Sequence, residues 1–231
     1  MSNGEKIVLT YWPIHGLGSA CRLALIHAVG IDGFVDSHVV DGSAWPGMVQ
    51  RAAEGDQPML NLPFVKFPGS PPICQSNAVL KAIGRRYGLN GKTVADEDLV
   101  DEVLGHLADY HAEYVKLTYV APKDKFSEWL EDFDKETLPY YIGGVDKLLG
   151  LRKVDWFGGS GPSVADFKVY ACLVALSVLH KRDIFAEVAA FPHLAAWIPK
   201  MKALPSVQAF DASPMGALHC NASSANWDPA V

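Results

Sequence analysis

The spacing of apolar and polar positions differs between two parts of this chain, and the change falls near residue 90. The first part mixes β-type apolar runs with helical spacing. The runs predict strands at 6–10, 34–40, 64–66 and 73–74, and the helical stripes predict helices at 19–29 and 76–87. Ser19 and Ser76 precede those two stripes and are predicted N-caps. Residues 41–60 keep no steady period, which predicts an irregular segment with one helical turn at most.

From Asp96 onward the spacing is helical throughout and β-type runs vanish. Ser163-Val-Ala-Asp166 has the form of a capping box. The helix it opens, through about Leu179, is apolar almost all round and is predicted to be the buried centre of this part. Further helices are predicted at 191–201 and from Ser206, and the last dozen residues are predicted to be a loose tail. The pattern predicts a mixed α/β domain at 1–89 and an all-helical domain at 96–231.

Composition and charge exclude several classes of function. The chain has 20 Lys and Arg against 26 Asp and Glu, a net charge of −6, which argues against a nucleic-acid binder. No apolar stretch is long enough for a signal peptide or a membrane span, so we expect a cytoplasmic protein with no membrane partner. The four cysteines are scattered and predicted to be free thiols. The eight histidines show no metal-ligand spacing, so no metal site is expected.

Three short segments carry candidate chemistry. Tyr11 closes the first predicted strand, where α/β sheets present groups to ligands, although packing at the strand end would also explain it. Asn61-Leu62-Pro63 precedes a strand, and a cis proline there would turn the Leu62 backbone toward an extended ligand. Gln75-Ser76 lies where a strand becomes a helix, and the free N–H groups of a helix start favour a carboxylate.

Taken in order, these motifs resemble the cytosolic glutathione transferases over essentially the whole chain. The similarity is to the tyrosine-type mu, pi and sigma group. It rests on Tyr11-Trp-Pro-Ile-His-Gly-Leu17, Cys21-Arg-Leu-Ala-Leu25, Asn61-Leu-Pro-Phe64, Gln75-Ser-Asn-Ala78 and the capping-box helix. The resemblance implies a thioredoxin-like α/β domain followed by an all-α domain, in a homodimer. It implies no cofactor beyond glutathione as co-substrate.

The resemblance also implies roles for individual residues. Tyr11 would donate a hydrogen bond to the glutathione thiolate, and the Leu17 N–H would help hold the sulfur. Asp109 would reach the γ-glutamyl amine from the other subunit, although a solvated helix face would also explain it. The remaining glutathione contacts would come from Trp12, Trp45, Arg51, Asn61, Leu62, cis Pro63, Gln75 and Ser76.

Several positions depart from the mu-class pattern. Gly42 and Val49 stand where mu relatives carry cations for the glycyl carboxylate, so Arg51, at the spacing of a pi-class lysine, is predicted to replace them. His15 replaces an arginine. Met59 stands where relatives place an aromatic dimer key.

The predicted electrophile pocket is lined by the first loop and the fourth helix: Trp12, Ile14, Leu17, Val115 and Tyr119. The tail after Ser213 is predicted to cap it. The predicted function is glutathione transfer to small hydrophobic electrophiles in detoxification. Three alternatives stay open: a glutathione-dependent isomerase of the sigma, prostaglandin D synthase-like type, a non-enzymatic carrier or crystallin-like relative, and a serine- or cysteine-type reductase relative.

Overall fold

A four-stranded mixed sheet organises the first part of the molecule. The structure is a computed structural model that describes residues 5–55, 57–181 and 191–227. The strands are β1 (Ile7–Tyr11), β2 (Phe34–His38), β3 (Phe64–Lys66) and β4 (Ile73–Cys74), in the order β2-β1-β3-β4. β2 runs parallel to β1, whereas β3 is antiparallel to both β1 and β4. All four strands were predicted, and β2 ends two residues earlier than its alternation suggests.

Three helices belong to this part: α1 (Gly18–Val29), α2 (Trp45–Ala53) and α3 (Ser76–Tyr87). The prediction of an irregular segment at 41–60 is wrong, because α2 is a nine-residue helix. None of its residues is fully buried, but Trp45, Met48, Val49 and Ala52 are half-buried at helical spacing, a short stripe that the prediction missed.

Both predicted serine N-caps are wrong by one or two residues. Leu17 occupies the N-cap position of α1, while the Ser19 hydroxyl lies 3.2 Å from Nδ1 of the His15 ring. Gln75 occupies the N-cap position of α3 with φ of 71°, a left-handed conformation that side chains rarely adopt. Ser76 is the first helical residue.

The second part is helical throughout its described residues. Its helices are α4 (Val94–Val115), α5 (Phe126–Asp132), α6 (Leu138–Arg152), α7 (Val164–His180), α8 (Pro192–Lys202) and α9 (Pro205–Asp211), with π-helical segments at Lys116–Val120 and Phe133–Thr137. The predicted helices at 191–201 and from Ser206 correspond to α8 and α9. The predicted fold, a thioredoxin-like sheet domain followed by a helical domain, is confirmed.

The predicted capping box at the start of α7 is present. The Asp166 carboxylate accepts hydrogen bonds from the Ser163 N–H at 2.8 Å, the Ser163 hydroxyl at 2.7 Å and the Trp197 indole N–H at 2.8 Å. Burial nevertheless raises the pKa of Asp166 to about 6, because desolvation of the charged form outweighs these bonds. α7 is buried along most of its length and is the central helix that the sequence predicted.

The core is continuous between the sheet part and the helical part, since α1 packs against α7 and α9 as well as α3. A second, smaller apolar cluster of Tyr11, Ile14, Val39 and Leu62 lies apart from this core at the end of β1. None of the described helices combines the length and the apolar character needed to cross a bilayer.

Candidate active site

Tyr11 lies at the carboxyl end of β1, and its side chain is buried at 6% exposure. Its hydroxyl oxygen accepts a hydrogen bond from the Leu17 N–H at 3.1 Å. Burial raises the Tyr11 pKa to about 12, and the bond from Leu17 opposes this rise. The phenol is therefore neutral at physiological pH, and its own proton remains to be donated to a ligand.

Two glycines allow the loop after β1 to lie against this ring. A Cβ at Gly16, whose φ is +35°, would lie 2.6 Å from the Tyr11 hydroxyl. A Cβ at Gly18 would lie 2.5 Å from the Tyr11 ring. The loop thus approaches the hydroxyl closely enough for Leu17 to reach it only because both positions lack side chains.

Arg22 of α1 holds the same loop from behind. Its guanidinium is fully buried and donates through Nε to both carboxylate oxygens of Asp36, at 3.0 and 2.9 Å. Its other nitrogens donate to the carbonyls of Ile14 at 2.7 Å and Trp12 at 3.2 Å. One side chain therefore ties α1, β2 and the loop that follows Tyr11 into a single unit.

A cavity of about 570 Å³ opens beside Tyr11. One wall is apolar and comes from the sheet part. The opposite wall comes from α4, the segment after it and the C-terminal tail, and carries hydroxyl, imidazole and amide groups. None of the described residues that line the cavity is Asp, Glu, Lys or Arg. The lining comprises Tyr11, Trp12, Pro13, Ile14, Gly16, Val39, Val40, Gly42, His111, Tyr114, Val115, Tyr119, Cys220, Asn221, Ala222, Ser223 and Ser224.

The prediction of a loose C-terminal tail is wrong as far as Trp227, where the described chain ends. His219 pairs with Ile14 as a short β-bridge, and the His15 N–H donates to the His219 carbonyl at 2.7 Å. The His15 ring lies with Nε2 3.2 Å from the Gly216 carbonyl, an oxygen that can only accept. The tail is therefore bonded to the loop that follows Tyr11, which agrees with the prediction that it caps the pocket.

The far end of the tail is bonded to the segment after α4. The Ala222 N–H donates to the Tyr119 hydroxyl at 2.8 Å, and the Asn226 N–H donates to the Thr118 carbonyl at 2.8 Å. Trp227 stacks on Phe126 with ring centroids 4.4 Å apart. Because the Tyr119 oxygen already accepts a bond, its proton is the part left to meet a ligand in the cavity.

Of the predicted glutathione residues, Trp12 lines the cavity, and Trp12, Leu17, Trp45 and Leu62 belong to or pack against the Tyr11 cluster. The peptide bond between Leu62 and Pro63 is cis, as predicted. The Leu62 N–H donates to Oδ1 of Asn61 at 2.8 Å, so it can pair with an extended ligand only after the Asn61 side chain turns away. The left-handed backbone of Gln75 is a constraint of the kind that clusters at ligand sites.

Other predicted residues belong to α2, to α4 and to the segment between α2 and β3. Trp45 begins α2 and meets Trp12 edge to face, with centroids 6.1 Å apart. Arg51 is exposed in the last turn of α2 and forms no salt bridge with any described residue. Asp109 is exposed on α4, and Met59 is 74% exposed. Contact of Asp109 or Met59 with a second subunit stays a prediction.

The structure adds positions that sequence reasoning missed. Val39 and Val40 follow β2, and His111 and Tyr114 line the cavity from α4. Arg22 was quoted as part of a motif but given no role. Its position inside an apolar helical run was a usable signal, because a buried guanidinium needs acceptors. The tail residues gave no periodic signal at all.

Acid is expected to destabilise the protein through two buried histidines. Burial lowers the pKa of His15 to about 4 and that of His111 to about 3, from 6.5 in the unfolded chain. Below pH 6.5 the unfolded state therefore binds more protons than the native state. We expect the free energy of unfolding to fall as pH drops from 6.5 to 4, with His15 alone responsible for about 3 kcal/mol.

Urea unfolding at pH 7.5, 6.0 and 4.5 measures this loss. The His15→Gln variant does not titrate and can still donate to the Gly216 carbonyl, so its stability should depend less steeply on pH. An identical slope in the variant and the wild type would exclude His15 as a source of the acid sensitivity.

A βαβ unit followed by a β-hairpin, a tyrosine at the end of its first strand, a cis proline before β3 and an appended helical part together define the glutathione-transferase architecture. The family model described as "Glutathione S-transferase, C-terminal domain" matches residues 108–214. Human "Glutathione S-transferase Mu 5" is 30% identical over 210 residues, covering 88% of this chain and 89% of the relative.

Comparison with solved structures gives the same fold. The glutathione S-transferase from Ascaris lumbricoides superposes with a TM-score of 0.71 at 25% identity, covering 91% of this chain and all of the other. Prostaglandin synthase D of Nilaparvata lugens gives a TM-score of 0.71 at 21% identity, covering 89% and 96% of the two chains, a likeness of fold. The chain belongs to the glutathione S-transferase family.

Proposed function

We propose that the protein is a glutathione S-transferase that presents glutathione as a thiolate to hydrophobic electrophiles, in cytoplasmic detoxification. The observation that carries this proposal is the Tyr11 hydroxyl. It is neutral, accepts from the Leu17 N–H at 3.1 Å and borders a cavity of about 570 Å³. The bond from Leu17 polarises the phenol and makes its proton a better donor.

Tyr11 acts on the glutathione sulfur. A hydrogen bond donated to a thiolate stabilises the charged form and lowers the thiol pKa, by one unit for each 1.36 kcal/mol of differential interaction. The thiol proton leaves to solvent, and the sulfur attacks an electrophilic carbon in the cavity. A carbon–sulfur bond forms as the bond to the leaving group breaks, or as electrons shift onto an acceptor atom of the electrophile.

The rest of glutathione is proposed to lie along the edge of the sheet. The Leu62 backbone, with Asn61 and cis Pro63, pairs with the cysteinyl unit, and the γ-glutamyl carboxylate meets Gln75 and Ser76 at the start of α3. The glycyl carboxylate meets the Trp45 indole N–H and the free guanidinium of Arg51. Asp109 on its exposed face of α4 is proposed to serve the second subunit of a homodimer.

The electrophile is proposed to lie between the two walls of the cavity. Ile14 and Val115 contact its apolar body. Tyr119, whose oxygen is engaged by the Ala222 N–H, directs its proton toward oxygen or halogen atoms of the substrate.

Glutathione binding and turnover test the function together. Isothermal titration calorimetry with glutathione is expected to show one site per chain, and the purified protein is expected to conjugate 1-chloro-2,4-dinitrobenzene. Binding without conjugation of that compound or of an aryl epoxide would contradict the transferase assignment and favour a carrier. Rearrangement of an endoperoxide with no net glutathione use would favour the isomerase. Failure to bind glutathione would overturn all three assignments.

A further inference from the structure

A lysine is buried behind the electrophile cavity without an acidic partner. Lys168, on the central helix α7, is 4% exposed. It forms no salt bridge or hydrogen bond with the residues of 5–55, 57–181 and 191–227. Its positive charge is felt by its neighbours, since it counteracts the rise in pKa that burial imposes on the thiols of Cys21 and Cys172. Lysines are almost never fully buried unless they are paired.

Lys168 lines a small inner cavity of about 30 Å³, and Tyr110 lines the same cavity. The Tyr110 hydroxyl is buried and has no hydrogen-bond partner in the described part of the chain. Side chains that carry two donor groups, an ammonium and a phenol, therefore line one space, and no described residue accepts a hydrogen bond from the phenol. Most buried polar groups have a hydrogen-bond partner, so the unpartnered phenol calls for an explanation, and a bound acceptor is one.

The inner cavity adjoins the electrophile cavity. Gly16, His111, Tyr114 and Cys220 line both. The inner space of about 30 Å³ is far smaller than the outer one, so it admits a small polar group rather than the body of a ligand. The outer space of about 570 Å³ is large enough for the apolar body of a drug-sized ligand.

Charge decides which polar group fits the inner cavity. No carboxylate from the described residues lines either cavity. Asp134, whose charge contributes to the raised pKa of Tyr110, lies 3.2 Å from the His180 ring, and Asp36 is held by Arg22. A neutral group would leave the Lys168 charge uncompensated in a medium of low dielectric constant, whereas an anion would compensate it.

We propose that Lys168, assisted by Tyr110, binds the carboxylate of an amphipathic ligand whose apolar body occupies the electrophile cavity. Resting on the proposed function, this assigns a substrate class: electrophiles that carry a carboxylate at one end of an apolar chain or ring. The same site makes medium-chain fatty acids inhibitors that compete with the electrophile.

Decanoate and decanol are the matched probes, because they share an apolar chain and differ in the charge of the head group. Calorimetry on the full chain without glutathione is expected to show decanoate binding at least tenfold more tightly than decanol. The preference should vanish in Lys168→Met, which keeps the length of the side chain and removes its charge, while decanol affinity stays unchanged. Tyr110→Phe should weaken decanoate binding by a smaller factor. Lys147→Met, at an exposed lysine of α6, is the control and should bind like the wild type.

Equal affinity for the two probes in the wild type, or a preference that survives Lys168→Met, would overturn the proposal. So would binding of acetate as tightly as decanoate, because a free small anion would then occupy the inner cavity without using the outer one. Conjugation of 1-chloro-2,4-dinitrobenzene, a neutral electrophile, separates the two hypotheses. Normal turnover without a decanoate preference refutes only the Lys168 site, and a Lys168-dependent preference without turnover refutes only the transferase.

Discussion

The Tyr11→Phe variant is expected to conjugate 1-chloro-2,4-dinitrobenzene roughly 10- to 100-fold more slowly than the wild type at pH 7, from the loss of one charge-assisted hydrogen bond. The phenyl ring fills the same space, so the contacts with Ile14, Val39 and Leu62 are kept. Glutathione affinity should change little, because the tripeptide makes its other contacts with different residues.

The cause of the slower rate is the pKa of the glutathione sulfur. Without the Tyr11 proton the thiolate loses its donor, and the thiol pKa rises by about one to two units. At any pH below that pKa, each unit removes nine-tenths of the nucleophile. The pH–rate profile should therefore shift to higher pH by the same one to two units, and the mutant rate should approach that of the wild type in alkaline solution.

Ultraviolet difference titration of bound glutathione measures the thiolate directly in both proteins. Tyr140→Phe is a matched control, since Tyr140 is 67% exposed and lies away from the cavity. A Tyr11→Phe protein with unchanged thiolate titration would show that another group activates the sulfur. A profile that falls in rate without shifting in pH would show that Tyr11 positions the substrate instead.

The Arg22→Met variant is expected to lose about 3–5 kcal/mol of unfolding free energy, the usual effect of removing one partner of a buried ion pair. The Asp36 carboxylate, with 12% of its side chain exposed, would lose the Nε donor that its two oxygens share. The carbonyls of Trp12 and Ile14 would lose their donors. Turnover should fall as well in the fraction that remains folded, because the loop that bears Leu17 would no longer be held against Tyr11.

Urea unfolding followed by fluorescence measures this effect. Arg85→Met removes an exposed arginine from α3 and is the control. The double variant Arg22→Met/Asp36→Asn should be more stable than the sum of the single changes predicts, since it leaves no unpaired charge. Additive single effects, or a loss as small as that of Arg85→Met, would mean that the guanidinium and the carboxylate are not coupled.

An element or contact could be predicted from the sequence when the residues that form it lie close together in the chain. Period-two runs and helical stripes identified the four strands and α1, α3, α4 and α7, because burial of one face leaves a pattern in the chain. The Ser163–Asp166 box was recognisable because both of its partners lie within one turn. The helix α2 was missed because its half-buried stripe of Trp45, Met48, Val49 and Ala52 spans only two turns and stands next to Pro46 and Gly47, which weaken a helical prediction.

The residues of the candidate site likewise fall into two groups, those that short motifs predicted and those that only the folded structure brings together. Tyr11, the cis proline and the Gln75-Ser76 step could be placed from short motifs, and their resemblance to a family supplied the roles. The tail could not, because its partners are far away in the chain, and Lys168 could not, because its burial depends on how the helices pack around it. His219 meets Ile14, and Ala222 meets Tyr119. The spacing between such partners carries no periodic signal.

The sequence by itself determined the order of elements, the family and the position of Tyr11 at the end of the first strand. Each of these is encoded within a few turns of chain or in motifs taken in order. The tertiary structure decided which groups face the cavity, which charges are paired and which are left without partners. Packing brings residues more than a hundred positions apart to within hydrogen-bond distance, and burial, rather than residue type, then sets their charge state. Lys168 looks like an ordinary lysine in the chain, and only the surrounding helices reveal it as a buried cation without a partner among the described residues.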